Sequence, residues 1–149
     1  MPRTDDGLLV LGPGEGDAFP SLDAVRKASA EDGDGRWGAA VIRGLPGEGG
    51  RTHRHVGSAE GFFLLEGEVE LLGATSTTPL RPGAFVLVPP DTEHGIRIVG
   101  TEPAAWLAIW PAELDGYPEA LEQLRRDDAR PAEITTLRRR HGIEPGRQR

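Results

Sequence analysis

Apolar and polar positions alternate through much of residues 37–110, and turn-forming residues break the alternation at short intervals. The runs 37–44, 51–55, 61–67, 68–73, 84–89, 94–100 and 104–110 read as short strands. Pro46-Gly47, Gly49-Gly50, Gly67, Gly73, Pro82-Gly83, Pro90-Asp91 and Gly100 punctuate them. Short strands at this spacing predict an all-β sandwich or barrel, of which the jelly roll is one form. The pattern differs on either side. Before residue 37 it predicts an arm: an apolar strand over 8–11, a Gly/Pro turn, and a helix through 22–30 that Ser21 caps and 31–35 ends. After Pro111, residues 119–127 and 131–141 predict two helices, the second stopped by Gly142. The expected organisation is one domain: arm 1–36, barrel core 37–110 and helical tail 111–149.

Composition supports this reading. A chain of 149 residues and 16.0 kDa holds one core, and its 21 glycines and 13 prolines match the density of turns. There is no cysteine, which excludes disulfides, zinc–thiolate sites, iron–sulfur clusters and a thiol nucleophile. Residues 1–124 carry a net charge of −11 and residues 125–149 of +4. The acidic body argues against a nucleic-acid partner. The basic end, Arg138-Arg139-Arg140 with Arg147 and Arg149, reads as a solvated helix face and terminus. No apolar run reaches a membrane-spanning length, and the first residues lack a basic-then-apolar targeting pattern, so a cytoplasmic location without membrane partners is expected.

Three of the four histidines fall into one pattern, His53-x-His55-x4-Glu60 followed by His94; the fourth, His141, lies in the Arg-rich tail. Side chains alternate along a strand, so His53 and His55 face one side and Arg54 the other. Glu60 opens the next strand after the turn at 56–59, and an antiparallel return would bring its carboxylate back over the pair. His94 follows the rigid Pro89-Pro90-Asp91 turn. Three imidazoles and a carboxylate form a mixed N/O donor set suited to one divalent transition metal: Fe, Mn, Ni, Co, Cu or Zn. Phe62 and Leu64 share the parity of Glu60, and Ile96 and Ile98 that of His94, so these four are the candidate apolar lining of a substrate pocket.

Other residues carry weaker signals. Arg54 and Arg97 have the wrong parity for an interior, whereas Arg43, in phase with Trp37 and Val41, would meet an anionic substrate if that face turned inward. Trp106 and Trp110 share parity with Ala108 and are expected in packing. Tyr117 is a packing residue at a loop–helix junction or a hydrogen-bond donor at the barrel mouth. Glu66 and Glu93 are expected on the surface. The glycine-rich 12–16 stretch reads as a turn, not a phosphate loop.

With these residues in view, the chain resembles the cupin superfamily, most of all the small single-domain cupins similar to quercetin dioxygenase. The first cupin motif reads Gly47-x5-His53-x-His55-x4-Glu60-x6-Gly67, complete at its fixed positions. The second reads Gly83-x5-Pro89-x-Asp91-x2-His94-x3-Ile98, with Asp91 in place of a glycine and Ile98 in place of an asparagine. Aspartate tolerates left-handed backbone, so the first change is mild; the second makes the pocket more apolar. The resemblance implies a double-stranded β-helix barrel holding one metal ion on His53, His55, Glu60 and His94. It also implies a homodimer built through N-terminal strands, and a dioxygenase acting on a small organic molecule, with Glu60 detaching to serve as catalytic base. The superfamily equally includes redox-neutral isomerases, decarboxylases and lyases, and non-catalytic small-molecule-binding members.

Overall fold

The computed structural model describes residues 3–19 and 22–147. Eleven strands run in chain order as β1 (Asp17–Ala18), β2 (Ala24–Ala28), β3 (Trp37–Gly44), β4 (His53–His55), β5 (Glu60–Glu66), β6 (Glu68–Gly73), β7 (Thr77–Leu80), β8 (Phe85–Val88), β9 (His94–Val99), β10 (Ala104–Pro111) and β11 (Ile143–Pro145). Helices α1 (Tyr117–Arg126) and α2 (Pro131–Arg140) lie between the last two strands. The strands form two sheets, ordered β1-β2-β3-β10-β5-β8 and β11-β4-β9-β6-β7. Every named pairing is antiparallel. The strand pattern predicts an all-β barrel or sandwich, and the two sheets form the double-stranded β-helix that the cupin resemblance implies.

The interior follows from strand parity. Ala40 on β3, Phe62 on β5 and Ala108 on β10 stand in register with one another, and both alanines are fully buried. Their small side chains leave room for Phe62 and Trp110, which pack with Phe19, Leu114 and Ile143 in one core cluster. A second cluster, Leu64, Val69, Ile98 and Ala104, fills the space between the sheets around β6 and β9. Ile98 occupies the volume that a side chain on Gly44 would need, since a Cβ there would stand 2.3 Å from Ile98 Cδ1. The outer positions of β5, β8 and β10 are also apolar, and Phe63, Leu65, Phe85, Leu87 and Ile109 are exposed.

The N-terminal arm departs from expectation. Residues 22–30 do not form a helix; β2 pairs with β3, Arg26 opposite Ala40, and buries Ala24 and Ala28. Good local helix formers yield here to the pairing and burial offered by β3, since propensity is a weak prior against tertiary context. Arg26 is held by Asp115, by Glu119 at 2.6 Å, and by the ring of Phe19 at 4.7 Å. The expected cap, Ser21, lies outside the described residues, as does Arg149. Residues 8–11 form no strand but contribute one isolated bridge, Leu9 to Arg3, and Leu8 and Val10 are exposed. Strand β7 went unpredicted because Pro79 interrupts its pattern; it sits at a sheet edge, where proline is tolerated. Strand β11 was likewise unpredicted.

Gly67 takes the chain from β5 in one sheet to β6 in the other. Its φ is +79°, and a Cβ there would lie 2.6 Å from the Pro103 carbonyl oxygen. Gly67→Ala is therefore expected to destabilise by more than about 1 kcal/mol, lowering the urea midpoint. Gly83→Ala, where φ is +93° but no atom is within 4 Å, should cost less. Equal midpoints for wild type and Gly67→Ala would contradict the packing of this crossover.

Candidate metal centre

His53 and His55 both face inward from β4, while Arg54 faces out and donates from Nε to Glu144 at 2.8 Å. The single β4–β9 register pair sets His53 opposite His94. Glu60 arrives differently from expectation. Strand β5 does not pair with β4 but belongs to the other sheet, so the carboxylate reaches the histidines across the barrel. The turn at 56–59 is a crossover, not a hairpin. Asp91 fastens the end of β4: with φ at +61°, its N–H donates to the His55 carbonyl at 2.9 Å and its Oδ1 accepts from Gly57 N–H at 3.1 Å. A residue tolerant of left-handed backbone stands where the motif has glycine, and its side chain adds a tie that glycine lacks.

One ligating atom from each of His53, His55, Glu60 and His94 lies within 4.8 Å of the others. Nε2 of His55 is 2.7 Å from Glu60 Oε2, Nε2 of His94 is 3.1 Å from the same oxygen, and the Nε2 atoms of His53 and His55 are 3.2 Å apart. His55, Glu60 and His94 are buried and His53 is half-buried. Nδ1–H of His94 donates to the Thr92 carbonyl at 2.9 Å, which turns its Nε2 toward the cluster.

The electrostatics follow from this crowding. Burial would raise Glu60, but hydrogen bonds from His55 and His94 and their charges outweigh it and hold the carboxyl down at about 2. Burial and the neighbouring imidazoles lower His53 to about 4. Burial opposes protonation of His94 too, yet Glu60 and the Thr92 carbonyl raise it above its ordinary 6.5. Three Nε2 atoms and a carboxylate thus converge, and His55 Nδ1 is buried without a hydrogen-bond partner. One divalent cation would satisfy all four donors together, and their N/O chemistry fits the first-row metals. The arrangement is a cluster of three histidines and one glutamate that can hold a metal.

A cavity of about 770 Å³ opens beside the cluster, with His53 in its wall together with Arg51, Thr52, Leu72, Tyr117 and Arg138. Residues 143 and 145–147 complete that wall on the C-terminal side. Phe62, Leu64 and Ile96 line a separate space of about 10 Å³ with Trp106, and Ile98 is buried in the second core cluster. Arg43 points outward and meets Glu66 at 3.3 Å, correcting the possibility that it faces a substrate: residues in phase with Ala40 and Ile42, not with Val41, turn inward. Arg97 is outside and donates from Nε to Glu70 at 2.9 Å. Trp110 is core, edge-on to Phe19. Tyr117 lines the cavity mouth and accepts a 3.4 Å hydrogen bond from Arg138 Nε. Glu93 is half-buried, not a plain surface residue, and accepts from the Thr52 hydroxyl at 2.7 Å. Arg51 and Arg138 went unnoticed as cavity residues because only the fold-back of α2 and β11 brings them to one mouth.

Fold and site together define a two-sheet barrel with a three-histidine, one-glutamate interior. Residues 41–110 match the family profile of the cupin domain, and the barrel of this chain is a cupin domain. Among curated proteins, the chain is similar to a quercetin 2,3-dioxygenase of Bacillus subtilis, 31% identical over 97 residues that cover 62% of this chain and 29% of that protein. It is also similar to a glucose-6-phosphate isomerase of Thermococcus gammatolerans, 35% identical over 69 residues, 43% of this chain and 36% of that protein. The chain thus spans about a third of the length of these two relatives. Among solved structures, the polyketide cyclase RemF of Streptomyces resistomycificus superposes with a TM-score of 0.56 at 18% identity, covering 75% of this chain and 80% of that one. Among the described residues no helix is long and apolar enough to cross a membrane.

Metal uptake is expected to depend on pH with a definite sign. The raised His94 holds a proton below its titration range that an incoming ion must displace, while His53, at about 4, and Glu60, at about 2, are already in their binding forms. Affinity should therefore rise with pH up to the His94 value and then level off. Calorimetry of chelator-treated protein with Mn²⁺ in two buffers should show more protons released per ion near pH 6 than at higher pH. His94→Ala should lose most of the uptake. An affinity independent of pH between about 5.5 and 8 would contradict this account.

Proposed function

We propose that this protein is a mononuclear metal-dependent enzyme, and that its reaction is a dioxygenation of a small organic molecule. The observation that carries the enzymatic reading is the convergence of three Nε2 atoms and one carboxylate at the wall of a cavity large enough for a small substrate. Support for dioxygenation is the quercetin 2,3-dioxygenase relative, whose matched stretch covers 62% of this chain.

In this reading His53, His55 and His94 hold the ion through their Nε2 atoms. A bound divalent ion supplies Lewis acidity that makes a substrate hydroxyl or enolisable proton easier to remove. Glu60 is the base. Its carboxylate is ionised and buried beside the three imidazoles, next to the place where they would hold the ion. An ionised carboxylate is a weak base alone, so it accepts a proton only where the substrate is already polarised. A paired arrangement of two copies belongs to the same proposal. Its support is the exposed apolar outer face formed by Phe63, Leu65, Phe85, Leu87 and Ile109.

A second reading, redox-neutral isomerisation on the same site, is favoured by the glucose-6-phosphate isomerase relative. Oxygen separates the two. Metal-loaded protein assayed with quercetin and other hydroxylated or enolisable small molecules should consume one O2 per substrate and stop under anaerobic conditions. Glu60→Gln should lower turnover by about 10²- to 10⁴-fold while reducing metal occupancy far less. Turnover unaffected by removing oxygen would replace dioxygenation with the redox-neutral reading. Full activity in Glu60→Gln would end the base role.

A further inference from the structure

The cavity beside the cluster has a charge that the rest of the molecule does not share. The protein carries a formal net charge of −7, yet among the described residues no acidic side chain lines this cavity and three arginines do: Arg51, Arg138 and Arg147. Elsewhere several arginines are neutralised locally, Arg43 by Glu66, Arg54 by Glu144, Arg97 by Glu70 and Arg126 by Glu122, while Arg139 and Arg140 stand exposed in solvent. The three cavity arginines have no ion-pair partner among the described residues. Glu93, behind the lining, accepts from the Thr52 hydroxyl and from the backbone N–H of Arg147, at 2.7 and 3.1 Å.

The three arginines come from different parts of the chain. Arg51 precedes β4, Arg138 projects from α2, and Arg147 follows β11; the β11–β4 pairing and the fold-back of α2 bring them to one mouth. Arg138 spends only its Nε on the protein, donating to the Tyr117 hydroxyl oxygen, so its two Nη groups are unused. Because the Tyr117 oxygen accepts that bond, its own proton is left to donate. Arg139 and Arg140, next along the same helix, are exposed and do not line the cavity. Arg138 and His53 line the same cavity, which places the arginine beside the cluster. Leu72, Ile143 and Pro145 give the same cavity an apolar wall.

We propose that Arg51, Arg138 and Arg147, with the Tyr117 hydroxyl, form an oxyanion-binding mouth over the cluster of three histidines and Glu60, and that the substrate is a small organic molecule with an apolar body and a carboxylate or phosphate group. Planar guanidinium groups bind both oxyanions through paired N–H donors. The anion is fixed at the mouth, the apolar body lies along the Leu72 side, and the reacting oxygen is presented at His53. That this anion is the substrate rests on the enzymatic reading above; the anion site itself does not.

The test uses the full chain stripped of metal, so that no probe is held by an ion. Phenyl phosphate, benzoate and neutral benzyl alcohol are titrated by calorimetry. Both anions are expected to bind at least about tenfold more tightly than the alcohol. Arg138→Gln and Arg51→Gln should each weaken the anions by about 10- to 100-fold, and Arg138→Lys should restore part of the loss. Each variant should take up Mn²⁺ as wild type does. Because Arg51 is exposed, its replacement tests the site even if an Arg138 variant folds poorly. Either order between phenyl phosphate and benzoate supports the site and decides which headgroup it prefers. Equal affinity for the anions and the alcohol, or anion affinity unchanged by both glutamine variants, overturns the proposal. Anion binding without any Mn²⁺ uptake would leave the mouth standing and remove the metal-enzyme reading instead.

Discussion

A carboxylate inside an apolar barrel must be compensated. Glu60 is 8% exposed, and an ionised carboxylate taken out of water costs several kcal/mol unless hydrogen bonds and opposite charge surround it. Here the compensation comes from imidazoles on the opposite sheet: His55 and His94 both contact one oxygen of Glu60. The cluster is therefore also a tie between the sheets, with β5 on one side and β4 and β9 on the other. Without an ion, the hydrogen bonds from His55 and His94 do this work. A divalent cation would do it better, because it is matched to four donors at once and needs no imidazole to be protonated.

The barrel is asymmetric about this point. On one side Leu64, Val69, Ile98 and Ala104 fill the space between the sheets and leave almost no free volume. On the other, the tail lies along β4. The Gly142 carbonyl accepts from Val56 N–H, the Thr52 carbonyl accepts from Gly146 N–H, and β11 runs along β4 between these ties. Leu137 and Ile143 anchor the tail by burial. What stays open is the approach to His53. The tail that looks like an appendage in sequence thus supplies Tyr117, Arg138 and Arg147 to the cavity wall.

Much of this was readable before any coordinates. Alternation gave the barrel strands because antiparallel strands with one buried face repeat every two residues. The donors were readable because His53 and His55 share parity on a three-residue strand and His94 follows a proline-rigid turn. The left-handed conformation of Asp91 was anticipated from its side chain. Several features stayed hidden, for physical reasons. The β2 segment has helix-forming residues, and only its partner β3 makes it a strand. The partner of β5 is set by a crossover between sheets, which a short turn does not distinguish from a hairpin. Strand β11 is three residues long, too short for a period to register, yet its pairing with β4 places the arginine-lined mouth. Arg43 was misleading because the phase of β3 is fixed by Ala40 and Ile42, small or medium residues that carry less signal than the exposed Trp37.

The central claim is that these four side chains share one ion. X-ray absorption on the Co²⁺-loaded protein reads that directly, because the metal reports the number and kind of atoms bound to it. The account predicts three imidazole nitrogens and at least one carboxylate oxygen around a single cobalt. A spectrum with oxygen ligands alone, or with fewer than two imidazoles, would contradict it.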